Sequence, residues 1–328
     1  MKMTISRRTL CTASLALPAA MAGRSAWAQD AYPSKPVRII VPFAPGGGTD
    51  FAARVFSARL GERLGQPVTV ENRPGAASTL GTAYAVRSPP DGYTLLVISG
   101  SYVVNPSLYK LGFDPLNDVE PIIQLTESGY VLVVNPKVPA QNLAELIELM
   151  RRRPGELTYA SSGQGGHLQV VTEYMLGLAK VRAKHIPYRG TGPGVADVLA
   201  GNVDMMFGGT EALMQFVAAG KLRVIAVGTP KRLAAYPDIP TVEEAGVPGY
   251  EVVAWHGMLA PKGTPPQIIA TLNRHMNVVV RDKEINERIA PQGVDGAGGT
   301  PEQFRALLKT EIDRYAVVVR DARINAGE

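Results

Sequence analysis

Val41 to Asp50 reads VPFAPGGGTD, an apolar run and three glycines directly before a segment with helical spacing. Glycine loses more backbone freedom on folding than any other residue, so three together need a reason. One reason is a tight strand-to-helix turn. The other is an anion held against main-chain N–H groups at a helix start. The stretch is not a dinucleotide fingerprint, because Phe51 stands where G-x-G-x-x-G needs its last glycine. No Lys-Ser or Lys-Thr follows to make a phosphate loop.

On either side of this turn, strands and helices alternate. Val37 to Val41 predicts a strand. Phe51 to Leu64 predicts a helix with Phe51, Val55, Leu60 and Leu64 on one face, ended by Gly65. Pro67 to Glu71 starts another strand, Ser78 to Val86 another helix, and Pro-Pro-Asp-Gly turns the chain into a strand from Thr94 to Ile98. That order favours a parallel sheet with helices on its faces. It then recurs: strand Leu157–Ala160, Gly-rich loop Ser161–Gly166, helix His167–Leu178, strand Lys184–Pro187, helix Val195–Leu199, strand Asp204–Phe207. Between the passes lie Leu108 to Leu125, rich in Pro and Asp, and a strand at Val131–Val134. Leu222–Val227 reads as a buried strand, and Val252–Leu259 as an extended return to the first domain. Pro265–Val280 and Pro301–Val319 read as closing helices, the latter burying Phe304, Leu307, Leu308, Ile312 and Tyr315.

Ligands of open parallel sheets sit beyond the carboxyl ends of the strands. Two such domains face to face present two Gly-rich loops and two helix starts, each worth about half a positive charge. Such a cleft suits a small carboxylate. In the first loop, Thr49 and Asp50 are expected to cap the helix, leaving the N–H groups at Gly47 and Gly48 for a guest. Ser162 and Gly163 hold the matching place in the second pass. His167, at a helix start, either donates to a carboxylate or merely caps. Ser99 and Ser101 end a strand facing the cleft, and Thr210 is their counterpart. Arg73 and Arg189 sit in turns beside Gly or Pro and read as loop braces.

The chain has 328 residues and a formal net charge of +5. Residues 1–28 read as an export signal: Lys2, Arg7 and Arg8, an apolar run from Leu10 to Met21, then Ala26-Trp27-Ala28 before cleavage after Ala28. Ser6-Arg7-Arg8 also looks like the start of a twin-arginine signal, though Cys11 and Thr12 replace the usual bulkier residues. Lys2, Arg7, Arg8 and Arg24 leave with that segment, so the remaining charge nearly balances and gives no argument for nucleic acid. Cys11, the only cysteine, leaves as well, excluding disulfides and thiol chemistry from the exported protein. No i, i+4 pair occurs among His167, His185, His256 and His275, and no G-x-S-x-G elbow appears, so zinc and serine-hydrolase chemistry are not expected. No cofactor is implied.

These stretches together resemble the periplasmic solute-binding proteins of the tripartite tricarboxylate transporter family, the Bug receptors. The resemblance rests on Tyr32-Pro33-Ser34-Lys35-Pro36-Val37, the opening VPFAPGGGTD, Val70 to Ala76, Pro90 to Leu95, Tyr159 to Gly163, His185 to Gly190, Ala219 to Arg223 and Pro240 to Gly246. It implies a type II periplasmic-binding-protein fold. Residues 30–127 plus 252–328 would form one α/β lobe and residues 128–251 the other, with a carboxylate closed between them. Carried over by position, the ligand loops are Phe43 to Asp50, which includes Pro45, Gly47, Gly48 and Thr49, and Ser161 to His167, which includes Ser162, Gly163, Gly165 and Gly166. Delivery to a membrane permease by a monomer, without chemistry on the ligand, is implied too. In one respect the chain departs from the pattern: many relatives carry an acid after the strand ending at Phe207, where this chain has Gly208-Gly209-Thr210-Glu211. A group to meet an amine or hydroxyl is therefore expected to be missing, which favours a plain or aromatic carboxylate. The alternatives are an exported α/β enzyme acting on a small acid and a sensory binding module.

Overall fold

The computed structural model describes residues 32–322 and residue 324. The export signal, its cleavage site and Cys11 lie outside the described residues. The first pass runs β1 (Val37–Val41), α1 (Gly48–Leu64), β2 (Val68–Asn72), α2 (Thr79–Val86), β3 (Thr94–Ser99) and α3 (Ser101–Leu108). A long strand, β4 (Val119–Val134), leads to α4 (Leu143–Arg152). The second pass is β5 (Thr158–Ser161), α5 (His167–Ala179), β6 (Lys184–Pro187), α6 (Thr191–Ala200), β7 (Met205–Gly209) and α7 (Thr210–Ala218). Then come β8 (Arg223–Val227), β9 (Val253–Pro261), α8 (Pro266–Val279), α9 (Lys283–Ile289), β10 (Val294–Gly298) and α10 (Pro301–Asp321).

The repeat read from the sequence is real in the topology. β1 pairs in parallel with β2 and β3, and β5 pairs in parallel with β6 and β7, so the two passes give the orders β2-β1-β3 and β6-β5-β7. Each parallel trio is flanked by an antiparallel strand, β9 beside β3 and β4 beside β7. Both sheet faces are covered by helices, so the inner strands β3 and β7 are buried nearly throughout and carry no charged residue, whereas the outer strands β2 and β6 keep polar positions. On β4, Leu132 and Val134 enter one core while Val131 and Val133 enter the other.

β4 belongs to both halves. From Val119 to Gly129 it pairs with β9, and from Tyr130 to Val134 with β7 and β8. The segment from Leu108 to Leu125, read from the sequence as a Pro- and Asp-rich connection, is thus a strand from Val119 onward. Its register shifts twice against β9, between Pro121 and Ile123 and between Gln124 and Thr126, which breaks the period a sequence pattern would show.

α1 begins at Gly48, three residues earlier than expected, and buries Ala52, Ala53, Phe56 and Leu60. Phe51, Val55 and Leu64 pack only at the margin of that core. Its N-cap is Gly47, with no side-chain cap. Asp50 instead accepts from the Gly46 N–H at 3.1 Å and from Arg54 and Asn72. On α10, Phe304, Leu308 and Tyr315 are buried as expected, in a core that also takes Val170 of α5 from the other half.

Candidate ligand-binding cleft

Because β1, β3, β5, β6 and β7 are each followed by a helix, their carboxyl ends bring five helix starts to one place. α1 contributes Gly48 and Thr49, α3 Ser101, α5 His167 and Leu168, α6 Thr191, and α7 its cap Gly209 and Glu211. With Phe43, Gly47, Ser99, Tyr130, Ser162 and His256, these residues line a narrow cleft with about 30 Å³ of free space. The first N–H groups of a helix have no partner within it. Five such ends make the cleft electropositive without a lysine or arginine in its lining.

Eight of the residues singled out from the sequence therefore meet here: Phe43, Gly47, Gly48, Thr49, Ser99, Ser101, Ser162 and His167. The structure places the other six elsewhere. Pro45 is exposed, its carbonyl packed against Gly192. Asp50 is turned into its bonds with Gly46, Arg54 and Asn72. Gly163 lines an adjoining groove with Tyr109, Tyr188 and Arg189. Gly165 packs on the Tyr109 ring and donates to Gln169, and Gly166 donates to the Gly163 carbonyl. Thr210, buried at the start of α7, donates to the Gly293 carbonyl at 3.3 Å. Six residues of the lining went unforeseen: Tyr130, Leu168, Thr191, Gly209, Glu211 and His256.

Several contacts join the halves around the cleft. The His167 N–H donates to Ser101 Oγ at 3.0 Å, so that amide is occupied by the opposite half. The Ala44 N–H donates to the Arg189 carbonyl at 3.1 Å, and the Tyr109 hydroxyl donates to the Gln164 carbonyl. Arg189 thus reaches across through its backbone. Arg73 pairs with Glu71 at 2.5 Å and lies over the Tyr84 ring at 3.7 Å, away from the cleft.

Both histidines of the lining are neutral. Burial pushes His167 down to about 3, with the Arg314 charge adding to it, and pushes His256 down to about 4. His256 Nδ1 bonds the Thr126 hydroxyl at 2.9 Å, and its Nε2 faces Gly48. His167 Nδ1 meets the Tyr130 hydroxyl at 3.0 Å, and its Nε2 has no partner although the residue is 2% exposed. A neutral imidazole with one nitrogen taken by a hydroxyl keeps the other as a hydrogen-bonding group.

Glu211 overturns the expectation that the cleft lacks an acid. It is 8% exposed and Oε2 has no partner. Burial raises its carboxyl to about 7 from the usual 4.5, against bonds from its own N–H and from Thr210 that favour the ionised form. Its place explains two glycines. A Cβ on Gly48 would stand 2.0 Å from Glu211 Oε1, and one on Gly209 would stand 1.9 Å from it. The acid enters from the second position of α7, two residues past Gly209, where a reading that stopped at the strand end does not see it.

Ser161 Oγ and His185 Nε2 lie 2.6 Å apart, a distance that suggests a nucleophile and its base. Yet Ser161 is fully buried, bonds the Gly163 backbone, and does not line the cleft. The pair braces the loop. Among the described residues no group of three His, Cys, Asp or Glu could hold a metal ion, and no helix is long and apolar enough to cross a membrane.

The model of the tripartite tricarboxylate transporter family receptor, TctC, matches residues 52–324. Protein BugT of Bordetella pertussis (strain Tohama I) is 39% identical over 295 residues, 89% of this chain and 90% of its own. The solved periplasmic binding protein BugD superposes with a TM-score of 0.87 at 33% identity, covering 90% of this chain and 99% of that one. R. palustris Rpa4515, solved with adipate, gives a TM-score of 0.87 at 32% identity over the same shares, 90% and 99%. The two α/β halves are the lobes of a type II periplasmic-binding-protein fold.

Proposed function

The chain belongs to the tripartite tricarboxylate transporter receptor family, whose members are periplasmic solute-binding proteins, and from that premise we propose that it captures a small organic carboxylate between its lobes for delivery to a membrane permease. The observation that carries the reading is the meeting of five helix starts from both halves in one cleft with no lysine or arginine in its lining. Backbone and hydroxyl donors, with the unpaired Nε2 of His167, serve an anion there without a formal cation. The adipate in Rpa4515 supports a carboxylate as the class. The lobes in this reading are residues 30–127 with 252–328, and residues 128–251. Closure brings Ala44 to Arg189 and Ser101 to His167, and the permease recognises that closed state in a monomeric receptor.

The test is calorimetry and thermal shift on refolded, ligand-stripped protein against mono-, di- and tricarboxylates, with neutral sugars as controls. Saturable binding of at least one carboxylate and none of a sugar is expected. Binding of sugars alone sinks the reading.

A further inference from the structure

A carboxyl group inside an anion site is a contradiction that the protein must resolve. Glu211 is the sole acid in the lining of the cleft, and Oε1 packs directly on the start of α1, where a Cβ on Gly48 would also stand 3.0 Å from His256 Nε2. A guest carboxylate that reaches the N–H groups of Gly48 and Thr49 comes up against Glu211. Two carboxylates sharing a site keep one proton between them, because both cannot ionise at that separation. We propose that Glu211 stands in the occupied cleft as a carboxylic acid and donates its hydrogen to the guest's carboxylate, so that wherever the empty cleft holds Glu211 ionised, each anion captured takes up one proton from solution.

This rests on the carboxylate reading above and adds the partner that meets it. The buried, unpaired Oε2 is the atom that gains the bond. The opposite assignment, an ionised Glu211 awaiting an ammonium group, is disfavoured by the surroundings. Five helix starts repel a cation, and no second acid lines the cleft to hold one.

The groups around Glu211 keep the titration clean. From α1 come Asp50 and Arg54, ion-paired at 3.0 Å, from β9 His256, from β4 Tyr130, and from α9 the exposed Arg288. Tyr236 lines a further groove beside it, α6 offers only Thr191, and β7 and residues 290–292 carry nothing that titrates. Bonds from Arg54, Asn72 and Gly46 hold Asp50 low against its partial burial, and burial raises both tyrosines above their usual 10. His256 and His167 ionise only near 4 and 3. Between pH 5.5 and 9, Glu211 is the group of this set that changes charge, near 7.

The experiment is isothermal titration calorimetry of the full exported chain with acetate, succinate, malate, adipate and benzoate, and with glycine and glutamate as guests that carry an ammonium group. Buffers of different ionisation heat are used from pH 5.5 to 9. Expected for any binder is proton uptake approaching one per guest at the alkaline end and vanishing at the acid end. Affinity should fall about tenfold per pH unit above the Glu211 midpoint. Glu211→Gln abolishes the uptake and flattens the profile, whatever its affinity. The wild-type profile decides the matter if that variant does not fold. A binder with no uptake at pH 9 overturns the inference and leaves the receptor reading standing. Tighter binding of glycine or glutamate as pH rises overturns it in favour of an ammonium partner. Silence from the entire panel sinks both.

Discussion

Glu211 and the cleft histidines depart from their ordinary ionisation in ways that show in stability without any guest. In the fold Glu211 holds its proton up to about 7, whereas an unfolded glutamate releases it near 4.5. The native state therefore binds more protons in that window, and stability is lost as pH climbs through it. The cost above pH 7 is on the order of 3 kcal/mol, so Glu211→Gln, which cannot ionise, should be the more stable protein at pH 8 by up to about that amount. Urea unfolding at pH 8 and pH 4 checks this; the advantage should be gone at the lower pH. His167 and His256 act on the other limb. Their folded values lie far below the usual 6.5, so the unfolded chain binds protons first and stability falls as pH drops below 6.5 toward 4. The slope approaches about 1.4 kcal/mol per pH unit for each histidine. His256→Gln should make the acid limb visibly shallower in the same unfolding series. An expected residue reads well from sequence when its neighbours in the chain are also its neighbours in space. Gly47, Gly48 and Thr49 satisfy that condition. Thr191, His256 and Tyr130 do not, because only the assembly of α6, β9 and β4 brings them to the cleft.

At the scale of elements, the close packing of β9 on α10 is the tightest constraint outside the cleft. A Cβ on Gly257 would stand 1.9 Å from the Phe304 ring, which is buried against Trp255 as well. Gly257→Ala should cost about 1–3 kcal/mol of stability through overpacking. Adding Phe304→Leu should return part of it, read from denaturant midpoints of the single and double variants. α5 offers the contrary case. Gly177 is exposed, lies inside the helix, and has no atom within 4 Å of a Cβ placed on it. Gly177→Ala should stabilise the protein by about 0.5–1 kcal/mol, because alanine gives up less backbone freedom. The units β1-α1-β2 and β5-α5-β6 were legible because apolar runs, glycine loops and helical spacing agree there. α3 was hidden by Pro106 inside it, and β4 by its two register shifts. α7 was missed because its cap is a glycine that looks like the end of a loop, and Glu211 was missed with it.

For the whole molecule the consequential feature is the contact between lobes. The amides of Ala44 and His167 each donate to the opposite half, so their protection from solvent exchange reports closure. A bound carboxylate should slow hydrogen exchange at both, while amides deep in one lobe, such as Leu132 on β4, change little. Unchanged exchange at Ala44 and His167 on saturation would mean that the guest does not draw the halves together. The repeat of strand and helix order announced two lobes from sequence, but the pairing across them had no local signature. Ser101 and His167 are far apart along the chain and carry nothing that marks them as partners.

β4 is one unbroken ribbon stitched into both sheets, with its seam at Gly129 and Tyr130. Neither lobe can lose its sheet without pulling on the strand that completes the other. Heating should therefore dissolve the two together, in a single endotherm with no half-melted species, and a captive molecule should move that one peak upward whole.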